Sequence, residues 1–179
     1  MKTHMCEADH RSTPLRILCT TATNAISELA ELSRVGGIDG LTAMEYAEYQ
    51  HGAVLVACQA YAVGTVGDLN KCRESLGLSP LKKLTLYRSN EANLPHTHVE
   101  QINALANLFK HRDEWENWPT NETTRVMRYF GILESTEFPL DAGIRSIIGE
   151  SSDLRRMAEV LEGWRFMQFQ HWYYDVLPV

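Results

Sequence analysis

The fifteen residues from Gly52 to Val66 form the longest apolar run in the chain, interrupted by Gln59 and closed by Asp68. A helix needs about 20 such residues to cross a bilayer, so this run is too short to span one. It predicts instead a helix that is apolar nearly all round, set at the centre of a soluble domain and contacted on several sides. No membrane partner is expected.

The flanking segments carry helical periodicity and helix punctuation. Thr13-Pro14 starts a helix, Leu15, Leu18, Ala22, Ile26, Leu29 and Leu32 continue it at helical spacing, and Gly36-Gly37 ends it, giving a first helix over 14–35. Thr42 and Glu45 have capping-box spacing. From there to Leu76 no proline appears, which predicts one long helix or two joined near Gly64 and Gly67. Ser79-Pro80 opens a short helix through Leu86, and Arg88 to Pro95 reads as a polar loop. A fourth main segment runs from His98 to Glu116 and stops at Trp118-Pro119. Shorter helices are expected over 120–130 and 141–148, and a last one from Ser151 or Ser152 to Tyr174. No stretch alternates with period two. The expectation is an all-α fold, a bundle of four main helices plus short accessory helices. Residues 1–12 would be a flexible N-terminal segment and 13–179 a single helical domain.

Charge and cysteine usage narrow the classes further. Seventeen Lys and Arg stand against 23 Asp and Glu, a net charge of −6, which excludes a broadly basic surface but leaves room for a local basic rim. Cys6, Cys19, Cys58 and Cys72 show no C-x-x-C spacing, and the polar stretch from Met1 to Thr13 does not read as a secretory signal. A reduced, cytoplasmic protein is expected.

The most informative motif lies on the fourth main segment. Asn103, Asn107 and His111 recur every four residues and align on one helix face, beside Lys110 and Arg112. Such residues are common at the solvated boundary of a helix. They also combine an imidazole that titrates near neutrality with an amide to orient it and two cations, a set suited to phosphate chemistry. The stretch resembles the signature of the HEPN superfamily (higher eukaryotes and prokaryotes nucleotide-binding domains). That resemblance implies a four-helix bundle, often dimeric, and in many members a metal-independent ribonuclease of toxin–antitoxin or phage-defence systems. Asn107 and His111 match the polar residue and the histidine of its R-N-x-x-x-H motif, and Ala106 stands where the motif has arginine. By resemblance the arginine binds the scissile phosphate and the histidine moves the proton during attack by the ribose 2′-hydroxyl. Arg112 lies about 100° further round the helix than His111, so it replaces the missing guanidinium imperfectly. A second partial match pairs Arg165 with His171, and these two are the reserve catalytic pair.

The resulting expectation is an RNA-binding or RNA-cleaving homodimer, with His111 as the acid–base group, Asn107 as its orienter and Lys110 or Arg112 on the phosphate. Arg125 and Arg128 would extend a basic rim. The alternative is a non-enzymatic interaction module that presents its last helix, rich in aromatic residues from Trp164 to Tyr174, to a protein partner. Metal chemistry is poorly supplied. Glu48-Tyr-Gln-His51 is one Glu-x-x-His pair of the two that a di-iron bundle uses, and the second is missing. His4, Cys6 and His10, or His96 and His98, do not make a full tetrahedral set. No metal and no cofactor is expected.

Overall fold

The computed structural model describes residues 8–89 and 94–176, with the side chains of the last helix followed as far as His171. The described residues form seven α-helices: α1 (Ser12–Arg34), α2 (Gly40–Ser75), α3 (Lys83–Arg88), α4 (His98–His111), α5 (Glu122–Tyr129), α6 (Pro139–Ile148) and α7 (Arg155–Val176). The fold is all-α. The four longest helices are α1, α2, α4 and α7, with α3, α5 and α6 as short companions.

Local chemistry explains most of the boundaries. Asp9 accepts hydrogen bonds from the backbone N–H groups of Arg11 and Ser12, both at 3.1 Å, and so caps α1 from outside its first turn. Gly36 and Gly77 close α1 and α2 at φ near +75°, a conformation that L side chains resist. The start of α2 corrects the capping box expected at Thr42 and Glu45. Asp39 is the N-cap and accepts from the N–H of Thr42 at 2.9 Å, so the helix begins three residues earlier. The capping box appears on α4, where Thr97 and Glu100 satisfy each other's backbone N–H groups. α4 is also shorter than expected. It ends at His111, and Arg112–Glu114 tighten into a 3-10 turn. Asp113 and Glu114 would sit unfavourably at the negative end of a longer helix dipole.

α2 is a single uninterrupted helix that packs against α1, α4, α6 and α7. Val54, Leu55 and Cys58 have no exposed surface, and they meet Ile102, Leu105, Met157 and Leu161 in one core. α2 is thus contacted on several sides, as expected, and one side of it stays open. Tyr46, Tyr49 and Val63 are 52%, 57% and 47% exposed, and Ala53 and Ala60 are also exposed. α2 is long and apolar enough by composition to cross a membrane, yet only because it serves two apolar surfaces. One faces the core and the other lies open beside α1.

Two expectations about the ends and the thiols change. Of the segment 1–12 expected to be flexible, residues 1–7 lie outside the described part. Asp9 and Arg11 are tied down, through Tyr61 and Asp68 respectively. Cys72 is disulfide-bonded, which corrects the reading of four reduced thiols. Cys19 and Cys58 are free and fully buried. A hydrogen bond with Cys19 and burial push the Cys58 thiol well up, so it behaves as an inert core group.

Candidate functional site

α4 lies against α2 because Gly52 leaves room for the ring of Phe109. A Cβ at Gly52 would come within 2.1 Å of Phe109 Cδ2. This close approach brings Gln59 of α2 under the amides of α4. Gln59 Nε2 donates to Asn103 Oδ1 at 3.0 Å and to Asn107 Oδ1 at 2.9 Å, while Lys110 Nζ donates to Gln59 Oε1 at 2.8 Å. The polar interruption of the apolar run is therefore the residue that organises the α2–α4 seam. Sequence reading singled out Asn107 and Lys110 and passed over Gln59; the signal was its place inside an otherwise apolar stretch.

The remaining members of the expected site take other partners. His111 is half-exposed, and its Nδ1 lies 3.2 Å from Glu114 Oε2 rather than against Asn107. Arg112 lies over the Tyr49 and Phe109 rings, 5.5 and 5.9 Å from their centroids, with Nε 3.7 Å from Asp113. Arg125 pairs with Glu122, one turn earlier on α5. Arg128 is exposed. Ala106, at the motif's arginine position, is fully buried. That position faces the core, so the residue that would hold a phosphate in the HEPN pattern has no route to solvent here.

The reserve pair is not brought together. Arg165 is 4% exposed, with Nη1 3.1 Å from Asp68 Oδ2 and Nε 3.7 Å from Asp9 Oδ2, and its guanidinium lies 4.6 Å from the Phe169 centroid. His171 is exposed, and six residues of helix turn it about 240° from Arg165. The aromatic character of α7 is likewise divided. Trp164 is buried and donates from Nε1 to the Leu86 carbonyl at 3.3 Å, whereas Phe166 is 62% exposed.

One acidic cluster has the spacing of a metal site. Among the described residues, His96, Glu100 and Glu122 place ligand atoms within 4.8 Å of one another. Arg88 already fills that position, with Nε 2.7 Å from Glu100 Oε1 and Nη2 2.9 Å from Glu122 Oε1. With Arg125 also on Glu122, two guanidiniums match two carboxylates, and a dication would have to displace charge that the chain itself supplies. Glu48 has a similar structural explanation. Its buried carboxylate accepts from the N–H groups of Leu140 at 3.2 Å and Asp141 at 2.7 Å, capping the first turn of α6 from a neighbouring helix. Burial raises its pKa, and those two amide donors oppose the shift.

His51, one turn beyond Glu48, is buried with no hydrogen-bond partner for Nδ1. Burial lowers its pKa below the ordinary 6.5, with Asp141 opposing and Arg145 reinforcing the shift. The unfolded chain therefore binds a proton near pH 6.5 that the folded chain refuses until lower pH, and stability is lost as pH falls through that window. His51→Leu is expected to flatten this loss. The unfolding midpoint of the wild type should fall more than that of the variant between about pH 7.5 and about pH 5. Parallel pH slopes in urea titrations of the two proteins would assign the loss elsewhere.

The open side of α1 and α2 carries two apolar hollows; a third, of about 470 Å³, lies among Leu41, Glu45, Glu48, Arg112, Glu137 and Phe138. One groove of about 470 Å³ lies between Leu29 and Leu32 of α1 and Tyr46 and Tyr49 of α2, with Glu28 at its edge. A second, of about 390 Å³, lies between Leu18 of α1 and Ala57 and Ala60 of α2, with His10 and Arg11 at its edge. Because α1 and α2 are antiparallel and each turns 100° per residue, these residues fall on one continuous face.

Comparison with known proteins finds no matching family model, no matching curated protein and no matching solved structure.

Proposed function

We propose that this chain is a non-enzymatic helical interaction module whose working surface is the α1–α2 face. The observation that carries the reading is an apolar face left uncovered on the long central helix α2, with two grooves along it beside α1. Exposed apolar grooves rimmed by polar residues are typical of interaction sites. The ionisable groups of α4, by contrast, take local partners: His111 pairs with Glu114, and Lys110 with Gln59. The interaction surface of the earlier alternative thus moves from the aromatic last helix to the α1–α2 hairpin.

The wild-type chain is expected to bury this face against another polypeptide or, where none is present, to bind the apolar dye anilinonaphthalene sulfonate in the native state. Leu32→Glu, at a side chain 47% exposed, should abolish whichever is seen and leave stability within about 0.5 kcal/mol. A monomeric wild type that leaves the dye dark removes the reading.

A second reading, RNA contact of the kind the HEPN resemblance implies, is supported by the succession Lys110-His111-Arg112 at the exposed end of α4 beside the Gln59 network. It expects salt-dependent binding of a labelled single-stranded RNA that weakens in Arg125→Glu/Arg128→Glu, and cleavage that falls in His111→Ala. Anisotropy and gel assays in which neither variant departs from the wild type remove it.

A further inference from the structure

We propose that the hollow of about 470 Å³ between the first turns of α2, the end of α4 and the start of α6 binds a small zwitterion with an apolar body, the chemistry of a free amino acid or a short peptide. The proposal goes beyond the interaction-module reading and does not rest on it.

Three elements build this hollow. On α2, Leu41, Glu45 and Tyr49 recur every four residues and so line one face, with Glu48 beside them. From α4, the close approach of Phe109 to Gly52 brings Arg112 over the Tyr49 and Phe109 rings. The stretch before α6 supplies Glu137 and Phe138, held next to α2 because Glu48 caps that helix. The volume lies within the roughly 300–1,000 Å³ usual for small-ligand sites.

The hydrogen-bonding state of the polar groups decides which chemistry fits. Glu48 lies near enough to feel the Arg112 charge, but its two oxygens are taken by the N–H groups of Leu140 and Asp141. Arg112 is in a different state. Its Nε lies 3.7 Å from Asp113, beyond hydrogen-bond reach, and among the described residues its guanidinium donates no hydrogen bond. The two rings hold it in place and leave its planar fork of N–H donors for another partner, a geometry that suits a carboxylate. Glu45 and Glu137 are exposed, and among the described residues neither carboxylate takes an ion pair or a hydrogen bond.

One wall therefore asks for an anion and the others for a cation. A ligand of a single charge satisfies one and is repelled by the other. A molecule that carries both, with an apolar body against Leu41 and Phe138, complements every polar group left without a partner. A metal ion does not fit, because it needs converging donors. Among the described residues the donors that converge are those of His96, Glu100 and Glu122, outside this hollow.

The test is isothermal titration calorimetry of the full chain with L-phenylalanine and with L-phenylalanyl-L-leucine. Each is compared with its methyl ester, which keeps only the ammonium, and with its N-acetyl form, which keeps only the carboxylate. At least one zwitterion is expected to bind with a dissociation constant of about 1 mM or tighter, and both of its single-charge forms at least about tenfold more weakly. Tighter binding of phenylalanine assigns the site to free amino acids, and tighter binding of the dipeptide assigns it to peptides.

Arg112→Gln should erase the advantage of the zwitterion over its methyl ester. Glu45→Gln/Glu137→Gln should erase its advantage over the N-acetyl form. A purely structural role would move neither preference. Lys71→Gln, exposed at the far end of α2, should change nothing. Circular dichroism melting at the wild-type midpoint establishes that each variant is folded. If Arg112→Gln melts early, Arg112→Lys, which keeps the charge and loses the planar fork, should show a reduced preference over the methyl ester. Three results overturn the proposal: no binding of either zwitterion up to about 10 mM, a single-charge form that binds as tightly as its zwitterion, or a preference that survives either set of substitutions.

Discussion

Arg165→Leu is expected to lower stability by about 3 kcal/mol, read as a lower urea midpoint at unchanged slope. The guanidinium is buried where α7 meets α2 and the stretch before α1. Asp68 lies at 3.1 Å, Thr65 at 3.5 Å, the Ala8 carbonyl at 3.4 Å and Asp9 at 3.7 Å. Removing one partner of a buried ion pair leaves the other desolvated and uncompensated, which typically costs about 3–5 kcal/mol. The lower end applies because Asp68 is 15% exposed and keeps Arg11.

Adding Asp68→Asn to Arg165→Leu removes the stranded charge. The double variant should therefore be less destabilised than the sum of the two singles, by about 1–2 kcal/mol. Strict additivity would mean that the two side chains do not act as a pair. Because this arginine braces three segments and His171 lies on another face of the helix, the variant is expected to alter stability without touching the α1–α2 face.

What could be read from the sequence divides along local and tertiary lines. Helix ends set by a single residue's backbone needs were visible, including the glycine stops at Gly36 and Gly77 and the Asn121 cap that starts α5. Where two caps of similar spacing overlapped, at Asp39–Thr42 and Thr42–Glu45, the stronger acceptor prevailed, and sequence spacing does not rank acceptors.

The site was less legible, because its members are chosen by partners distant in the chain. Asn107 and His111 do share a face of α4, but Gln59 captures the first and Glu114 the second. Ala106 illustrates the limit most clearly. Its place in the motif invited a comparison with arginine, and only packing reveals that the position is sealed in the core. The apolar run at 52–66 announced a central helix correctly and concealed that one of its sides lacks a cover. Apolar residues that meet the core and those that would meet a partner are chemically alike, so periodicity alone cannot separate them.

Gly52→Val should cost roughly 2–3 kcal/mol, and Gly67→Ala should add about 1 kcal/mol. Both glycines lie inside α2 and carry the same backbone penalty for helix formation, so replacing either gains up to about 1 kcal/mol from propensity. Their surroundings decide the sign. A Cβ at Gly67 meets nothing within 4 Å, whereas at Gly52 it would stand 2.1–2.4 Å from Phe109 Cδ2, Cε2 and Cγ.

The Phe109 ring has little freedom to withdraw, since it packs edge-on to Tyr49 at 6.2 Å and lies beneath Arg112. Relief therefore requires α4 to move away from α2, which would pull Asn103 and Asn107 off Gln59. Hydrogen exchange should show this as lost protection concentrated in α4, while the amides of α1 and α7 change only with global stability. If Gly52→Val is as stable as the wild type and α4 stays protected, the Phe109 contact does not set the position of α4, and the Gln59 amide bridge would have to do so by itself.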